Sequence, residues 1–351
     1  MDHYVLSINR TSNPFKTKVA PFKDGLAVIY WSIPLPYLYT FSLWLSARLL
    51  CKHVDRLEFD LIHGHKMTTE GGIAYFLSRY LKLPYILSVR GGSDTHNLSR
   101  LSVHKAFFAK VYNGASNIFW VSPWAKKAVE SCLNKPIKPL TLLPNICIID
   151  LKDKVLPVSK RANYITAIAF HQYKRKGLIP LINAISVLGE KGVNICLDIY
   201  GDGPQSDIDS VKAEISKLKL GNQIFLKGKV SQEELREKMS QSKAFLMPSI
   251  NETFGMSYIE ALSVGCPIVY MSDTGIDGYF DDYDVGVKLV GQSVDGLVKS
   301  FENLEENSQE MVNSINQMNE KKYLEMFTGQ SVANLYLSVV APQFMSVSEE
   351  M

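Results

Sequence analysis

From Leu26 onward, short apolar runs rich in β-branched residues alternate with longer stretches whose apolar positions recur at helical spacing. Such alternation is the signature of βαβ units on a parallel sheet, and it occurs twice. In the first half, strands are predicted at Tyr4–Ile8, Ala27–Trp31, Asp60–His63, Tyr85–Val89, Ile118–Val121 and Thr141–Leu143, with helices near 38–54, 70–81, 101–113 and 124–132. In the second half, strands are predicted at Tyr164–Ala169, Asn194–Ile199, Gln223–Lys227, Ala244–Met247 and Pro267–Tyr270, with helices near 177–190, 207–219, 231–240 and 256–264. The charged, aperiodic stretch Asp150–Lys160 reads as a linker. After residue 290 the pattern is helical only, over 294–301, 308–327 and 331–337. The expected organisation is a domain of residues 1–150, a second of 151–320, and a helical tail of 321–351 packed back on them. Two doubly wound sheets imply a cleft at their carboxyl ends, where ligands bind in such folds.

Bulk properties narrow the class. With 351 residues, 46% of them hydrophobic and 21% charged, the chain has the balance of a globular protein with two ordinary cores. A net charge of +3, with lysine and arginine spread along the chain, argues against a nucleic-acid binder. Five scattered cysteines without Cys-x-x-Cys spacing indicate neither a disulfide framework nor a zinc site, and fit a reducing cytoplasm. The N-terminus lacks the pattern of a secretory signal. The apolar stretch Leu26–Leu50 is broken by Ser32, Pro34, Pro36 and Arg48, so a strand, a turn and a helix explain it better than a membrane span. Peripheral contact with a membrane stays open, because Trp44, Leu45, Leu49 and Leu50 could face lipid as easily as core.

The segment that carries chemistry is Glu252-Thr-Phe-Gly-Met-Ser-Tyr-Ile-Glu260. It lies between a strand ending at Met247-Pro248 and a helix stopped by Gly265-Cys-Pro267. Backbone N–H groups of Phe254, Gly255 and Met256 at that helix start suit a phosphate. Glu260 stands about 5.4 Å further along the same face, within reach of ribose hydroxyls, and Glu252 in the turn could accept from hydroxyls of a sugar. A pair of solvated glutamates is the bland alternative.

The run Pro248–Pro267 resembles the Glu-x7-Glu signature of GT-B-fold glycosyltransferases, especially the retaining family 4 enzymes. Other matches follow in order along nearly the whole chain. Asp198-Ile-Tyr-Gly-Asp-Gly-Pro204 is similar to the family's Gly-x-Gly-Pro turn, which would bring Gly201 and Gly203 to the nucleotide. Lys227-Gly-Lys-Val230 resembles the loop that holds the base, and Tyr173-Lys-Arg-Lys-Gly177 the Lys-Gly helix start whose basic residues clamp the diphosphate, implicating Arg175 and Lys176. Asp60-Leu-Ile-His-Gly-His65 and Val89-Arg-Gly-Gly-Ser-Asp94 are similar to loops that meet the donor sugar and acceptor, implicating His65, Arg90 and Asp94. Val121-Ser-Pro-Trp-Ala and Leu143-Pro-Asn145 also recur at the expected places. His65 could polarise the sugar or hold backbone, His63 reads as core, and Arg90 and Asp94 could simply pair.

The resemblance implies transfer of a sugar, with retention and without a metal, from a UDP- or GDP-sugar co-substrate to a polysaccharide or lipid-linked acceptor. It would take place in the cytoplasm or at the inner face of the membrane, and a partner subunit could take part. Glu252, Lys176 and His65 would act in catalysis. Asp207-Ile-Asp209 and Asp281-Asp-Tyr-Asp284 read as solvated, so no metal site is expected. Two departures stand out. Ile168-Ala-Phe-His171 occupies the place of the family's Gly-Arg, leaving His171, Lys174 or Arg175 to compensate. The strand, glycine-rich turn and helix that normally precede the equivalent of Tyr4–Ile8 are absent, so the first domain should lack its first βα unit. The competing expectation is accordingly a non-catalytic nucleotide-sugar-binding subunit or inactive paralogue.

Overall fold

The computed structural model describes residues 2–32, 35–54, 57–133, 138–151 and 155–348. Pro34 of the expected turn and residues 152–154 of the expected linker lie outside them, as do the last three residues of the tail. The chain forms two compact units. The first comprises Met1–Val121, Ala125–Leu143 and Leu335–Met351, and the second Ser122–Trp124 and Pro144–Asn334.

The first unit carries two sheets. Strands β1 (Val5–Thr11), β2 (Lys18–Phe22) and β3 (Gly25–Trp31) form one in the order β1-β3-β2, with β1 parallel and β2 antiparallel to β3. The sequence pattern predicts no strand over β2. It is an edge strand, where Pro21 sacrifices no interior ladder bond, and the Lys23-Asp24 turn returns it onto β3 with Phe22 opposite Gly25. The second sheet is parallel, in the order β4 (Ile62–His65), β5 (Tyr85–Val89), β6 (Asn117–Trp120) and β7 (Thr141–Leu142). Helices α1 (Tyr39–Val54), α2 (Glu70–Leu81), α3 (Gly92–Arg100), α4 (Lys105–Gly114) and α5 (Pro123–Leu133) connect these strands.

The second unit has a six-stranded parallel sheet built from β8 (Tyr164–Ala167), β9 (Leu197–Tyr200), β10 (Ile224–Gly228), β11 (Phe245–Leu246), β12 (Ile268–Met271) and β13 (Gly286–Leu289). Their spatial order, β10-β9-β8-β11-β12-β13, is the 3-2-1-4-5-6 order of a doubly wound dinucleotide-binding sheet, and it reverses between β8 and β11. Helices α6 (Leu178–Glu190), α7 (Gln205–Lys217), α8 (Gln232–Ser240) and α9 (Met256–Ser263) cross between strands. Helix α6 shows why such a segment is helical: Leu178, Leu181, Ile182, Ile185 and Leu188 fall on one face and are buried. Each contributes about 1.5–3 kcal/mol on burial, far more than its helix propensity.

Two tail helices follow. Helix α10 runs unbroken over Val294–Glu320, where two separate helices were expected. The polar run Glu302–Asn307 looked like a gap, but Leu304 within it keeps the buried stripe of Val298, Phe301, Met311 and Ile315 in phase. Helix α11 (Gly329–Ser348) brings the chain back into the first unit, where Tyr336 and Val340 pack with Ile86 and Phe119.

Candidate active site

The loops after β8 and β11 leave the six-stranded sheet at its point of reversal, and both carry charge. In the first, the chain turns through Tyr173–Lys176 and enters α6 at Gly177, whose φ is +73°. A Cβ at Gly177 would lie 2.5 Å from the Pro248 carbonyl oxygen, so only glycine lets the two loops come this close. Backbone and side chain then tie them together. Ile250 N donates to Arg175 O at 3.1 Å, and Gln292, just beyond β13, donates to Arg175 O and Pro248 O.

This approach brings Lys176 onto Glu252. The Lys176 ammonium donates to a carboxylate oxygen of Glu252 at 2.5 Å, and the Ser249 hydroxyl donates to the same oxygen at 3.1 Å. Arg175 Nη1 stands 3.6 Å from it and also donates to Ile250 O and Asn251 O, while Nη2 donates to Gln172. The main chain of Glu252 is fixed in turn, its carbonyl accepting from Gly275 N and the Thr274 hydroxyl, each at 2.8 Å. Ser122 and Trp124, which cluster with this unit, donate to Gly275 O. Burial opposes ionisation of Glu252, but Lys176, Arg175 and Ser249 outweigh it and hold the carboxyl below its ordinary range. Of the residues expected to offset the missing Gly-Arg, only Arg175 turns to this site. His171 and Lys174 are exposed, and Lys174 lies over the Tyr173 ring.

Helix α9 starts beside the pair. Gly255 caps it at φ +84° and its carbonyl accepts from Tyr258 N at 3.0 Å, while the N–H groups of Met256 and Ser257 come before any carbonyl of the helix ladder. The Phe254 side chain is buried against Tyr279 and Phe327, so only its main chain is available to a ligand, whereas Met256 is exposed. Glu260, one turn on, is buried at 4% exposure. Burial raises its pKa, and Arg236 on α8 partly offsets the rise.

Gly201 and Gly203 have a packing role that the sequence left open. A Cβ at Gly201, where φ is +139°, would fall 1.8 Å from Ile168 O, and one at Gly203 would fall 2.8 Å from the Phe170 Cβ. The close approach lets Ile168 N donate to Tyr200 O, Phe170 N to Asp202 O, and Gly201 N to Gly228 O. Val230 is half-buried in the loop between β10 and α8.

In the first unit, Asp94 is a fastener. It is fully buried, and Met67 N, Thr68 N and the Thr68 hydroxyl donate to one oxygen while Arg90 N donates to the other. These bonds join the loops after β4 and β5. Burial pushes the Asp94 carboxyl up to about 6, and the N–H donors restrain the rise. Asp94 therefore holds the two loops together, and its partner in the Arg90 pairing is the backbone N–H. His63 and His65 stack with ring centroids 4.2 Å apart. His63 has both ring nitrogens engaged, by Ser88 Oγ at 2.8 Å and Tyr336 OH at 3.2 Å, and burial pushes its pKa down to about 3. His65 is exposed at the strand end, its pKa lowered by partial desolvation and by Arg90.

The structure thus gathers Glu252, Lys176, Arg175 and the start of α9 in the second unit, and places His65, Arg90 and Asp94 in the first. Sequence reading missed Ser249, Thr274-Gly275 and Gln292. The signals for the first two were a polar residue directly after Pro248 and a Thr-Gly pair separated by two residues from the end of β12. Among the described residues, no group of three or more His, Cys, Asp or Glu could hold a metal ion.

Comparison with known proteins bears on the family and the fold. Residues 151–323 match the family described as glycosyl transferases group 1, and residues 7–122 match glycosyl transferase 4-like. The poly(glycerol-phosphate) alpha-glucosyltransferase of Bacillus subtilis is 30% identical over 207 residues, 58% of this chain but 25% of that protein. The alpha-monoglucosyldiacylglycerol synthase of Acholeplasma laidlawii is 22% identical over 94% of this chain and 88% of its own length. Among solved structures, sucrose-phosphate synthase from Thermosynechococcus elongatus superposes with a TM-score of 0.65 at 15% identity, covering 98% of this chain and 90% of that one. The chain belongs to the glycosyl transferases group 1 family and has the GT-B fold, with Rossmann-like domains.

Proposed function

We propose that the chain is a retaining hexosyltransferase that needs no metal and moves a sugar from a UDP- or GDP-sugar onto a glycan or lipid-linked acceptor. The observation that carries this reading is the Lys176–Glu252 pair at the reversal of the sheet, beside the N-terminus of α9. A diphosphate placed there meets a lysine, an arginine and a helix N-terminus. These stabilise the charge that grows on the leaving group, the largest electrostatic change in the reaction. The bond from C1 to the phosphate oxygen breaks, the acceptor oxygen bonds C1 on the same face, and the acceptor proton passes to the departing phosphate. Glu252 orients Lys176 and accepts from donor-sugar hydroxyls, Glu260 accepts from the ribose, and the Gly201–Gly203 and Val230 loops border the nucleotide. His65 and Arg90 stand on the acceptor side. A lipid-linked acceptor sets the reaction at the inner face of a membrane, which no described helix is long and apolar enough to cross.

The test is a panel of UDP- and GDP-sugars with the full chain, following nucleotide release, calorimetric binding and anomeric configuration of the product by NMR. One donor should bind and turn over. Glu260→Ala should weaken nucleotide binding by about tenfold or more, as expected for losing hydrogen bonds to a charged group. Glu252→Ala should mainly lower turnover. Equal nucleotide affinity in Glu260→Ala and wild type would refute the ribose role. Binding of a donor without turnover on any acceptor would favour a non-catalytic subunit, and failure of every donor to bind overturns the proposal.

A further inference from the structure

The outer face of α1 is apolar toward one end and basic toward the other. Leu43, Ala47, Leu50 and Val54 are buried on its inner face. The opposite stripe, at the same helical spacing, carries Phe41, Trp44, Leu45, Arg48, Leu49 and Lys52. Phe41 and Leu49 are 48% and 43% exposed, Trp44 and Leu45 are half-buried, and Tyr37, 76% exposed, extends the stripe ahead of the helix. Of the residues the sequence offered to lipid, only Leu50 belongs to the core. Phe41 stacks on Trp44 at 5.5 Å, and the Arg48 guanidinium lies 5.6 Å from the Trp44 ring centroid. His104 donates from Nε2 to Pro36 O, leaving Nδ1 to accept from the Thr40 hydroxyl. Those bonds hold exposed Val103 beside the start of α1.

Scattered exposed leucines are ordinary, but a continuous aromatic and aliphatic stripe on one helix is not. Charge identifies what covers it. Residues 1–143 carry 18 Lys and Arg against 8 Asp and Glu, a net of +10, while residues 144–351 carry 20 against 27, a net of −7. The small overall charge conceals this division. A net of +10 opposes pairing of the face with a second copy of itself, whereas aromatic rings with basic residues beside them suit the headgroup level of an anionic bilayer.

We propose that α1 docks the chain peripherally on an anionic lipid surface, with Tyr37, Phe41, Trp44 and Leu49 in the interface and Arg48 and Lys52 on the headgroups. The test uses the full chain and phosphatidylcholine vesicles with and without phosphatidylglycerol, followed by co-sedimentation and tryptophan emission. Wild type should partition to the anionic vesicles with a blue shift that Trp44→Phe reduces, and added salt should release it. Arg48→Gln with Lys52→Gln should weaken partitioning by about thirtyfold, at about fivefold per basic side chain. Phe41→Ser with Leu49→Ser should weaken it while leaving thermal unfolding unchanged, since both sites are exposed. The proposal is overturned by absence of vesicle binding, by variants that partition like wild type, or by a dimer in ultracentrifugation that Phe41→Ser dissolves.

Discussion

Replacing Glu252 by Gln keeps the shape of the side chain and removes its charge. In the folded protein the Lys176 ammonium then faces a neutral amide, and Arg175 loses the charge 3.6 Å away. Both partners of the main pair are largely buried, with side chains 15% and 14% exposed. Two unit charges at about 4 Å attract by about 4 kcal/mol at an effective dielectric of about 20, and desolvation cancels part of that. A coupling of about 2 kcal/mol is therefore expected from a double-mutant cycle of Glu252→Gln and Lys176→Met. The sign with pH follows from the depressed carboxyl of Glu252. Its stabilisation is complete above the unfolded value of about 4.3 and is lost as pH falls through the folded value. The coupling should be full at neutral pH and shrink in acid. Because a chain of two compact units need not unfold in a single step, the measurement is amide hydrogen exchange of peptides from β8 and α6. A coupling below about 0.3 kcal/mol at neutral pH, within the ordinary error of additivity, refutes the claim that the pair holds the two loops together.

Other outcomes concern the first unit. Asp94→Asn puts an amide N–H against the Arg90 N–H and should cost about 1–3 kcal/mol at neutral pH, seen as a lower thermal midpoint. Because burial raises the Asp94 carboxyl to about 6, its native state holds a proton that the unfolded chain releases near 4. Wild-type stability from this group accordingly falls as pH rises from about 4 to about 6, and the gap to Asp94→Asn should narrow by about 2–3 kcal/mol across that window. A constant gap contradicts the burial account. His63 behaves oppositely, staying neutral when folded down to about 3 while the unfolded chain protonates below about 6.5. Acidification to about pH 5 should cost about 2 kcal/mol through His63, and His63→Gln should lose that part of the slope in thermal unfolding. An unchanged slope rejects the assignment.

The elements that sequence reading located share one property: their local pattern and their tertiary environment agree. Helix α2 came out at its predicted bounds because Ile73, Ala74 and Leu77 make a clean buried face. The elements it missed depend on partners distant in the chain. Helix α3 reads Gly-Ser-Asp-Thr-His-Asn-Leu-Ser-Arg, with Leu98 its one buried apolar residue, and is anchored by an aspartate one of whose oxygens is filled from another loop. Strand β13 starts with a glycine and carries Lys288 outward to Asp277 and Asp281, so it has the composition of a loop and is a strand because β12 offers it an edge. Amphipathic spacing cannot register such cases, since what stabilises them is hydrogen bonding across the fold.

A similar division runs through the candidate site. The residue types that suit a diphosphate were legible, because a basic cluster at one helix start and a glycine-opened second helix are local features. Which of the basic residues would serve was not legible. Lys174, Arg175 and Lys176 are equivalent by charge and nearly so by position, yet Lys174 lies over a tyrosine ring while Lys176 reaches a glutamate 76 positions away. What separates them is the contact of Gly177 with Pro248, which fixes the rotation of the turn and so decides which side chains point inward. The glycines at 201 and 203 show the converse. Their motif marks the nucleotide loop, but the atoms that demand glycine belong to Ile168 and Phe170 of the same chain. A substitution at either glycine would therefore damage the loops after β8 and β9 before any ligand arrived. Loss of activity in such a variant would not count as support for a nucleotide contact; nucleotide binding has to be tested at Glu260 and Arg175, whose side chains no such backbone clash constrains.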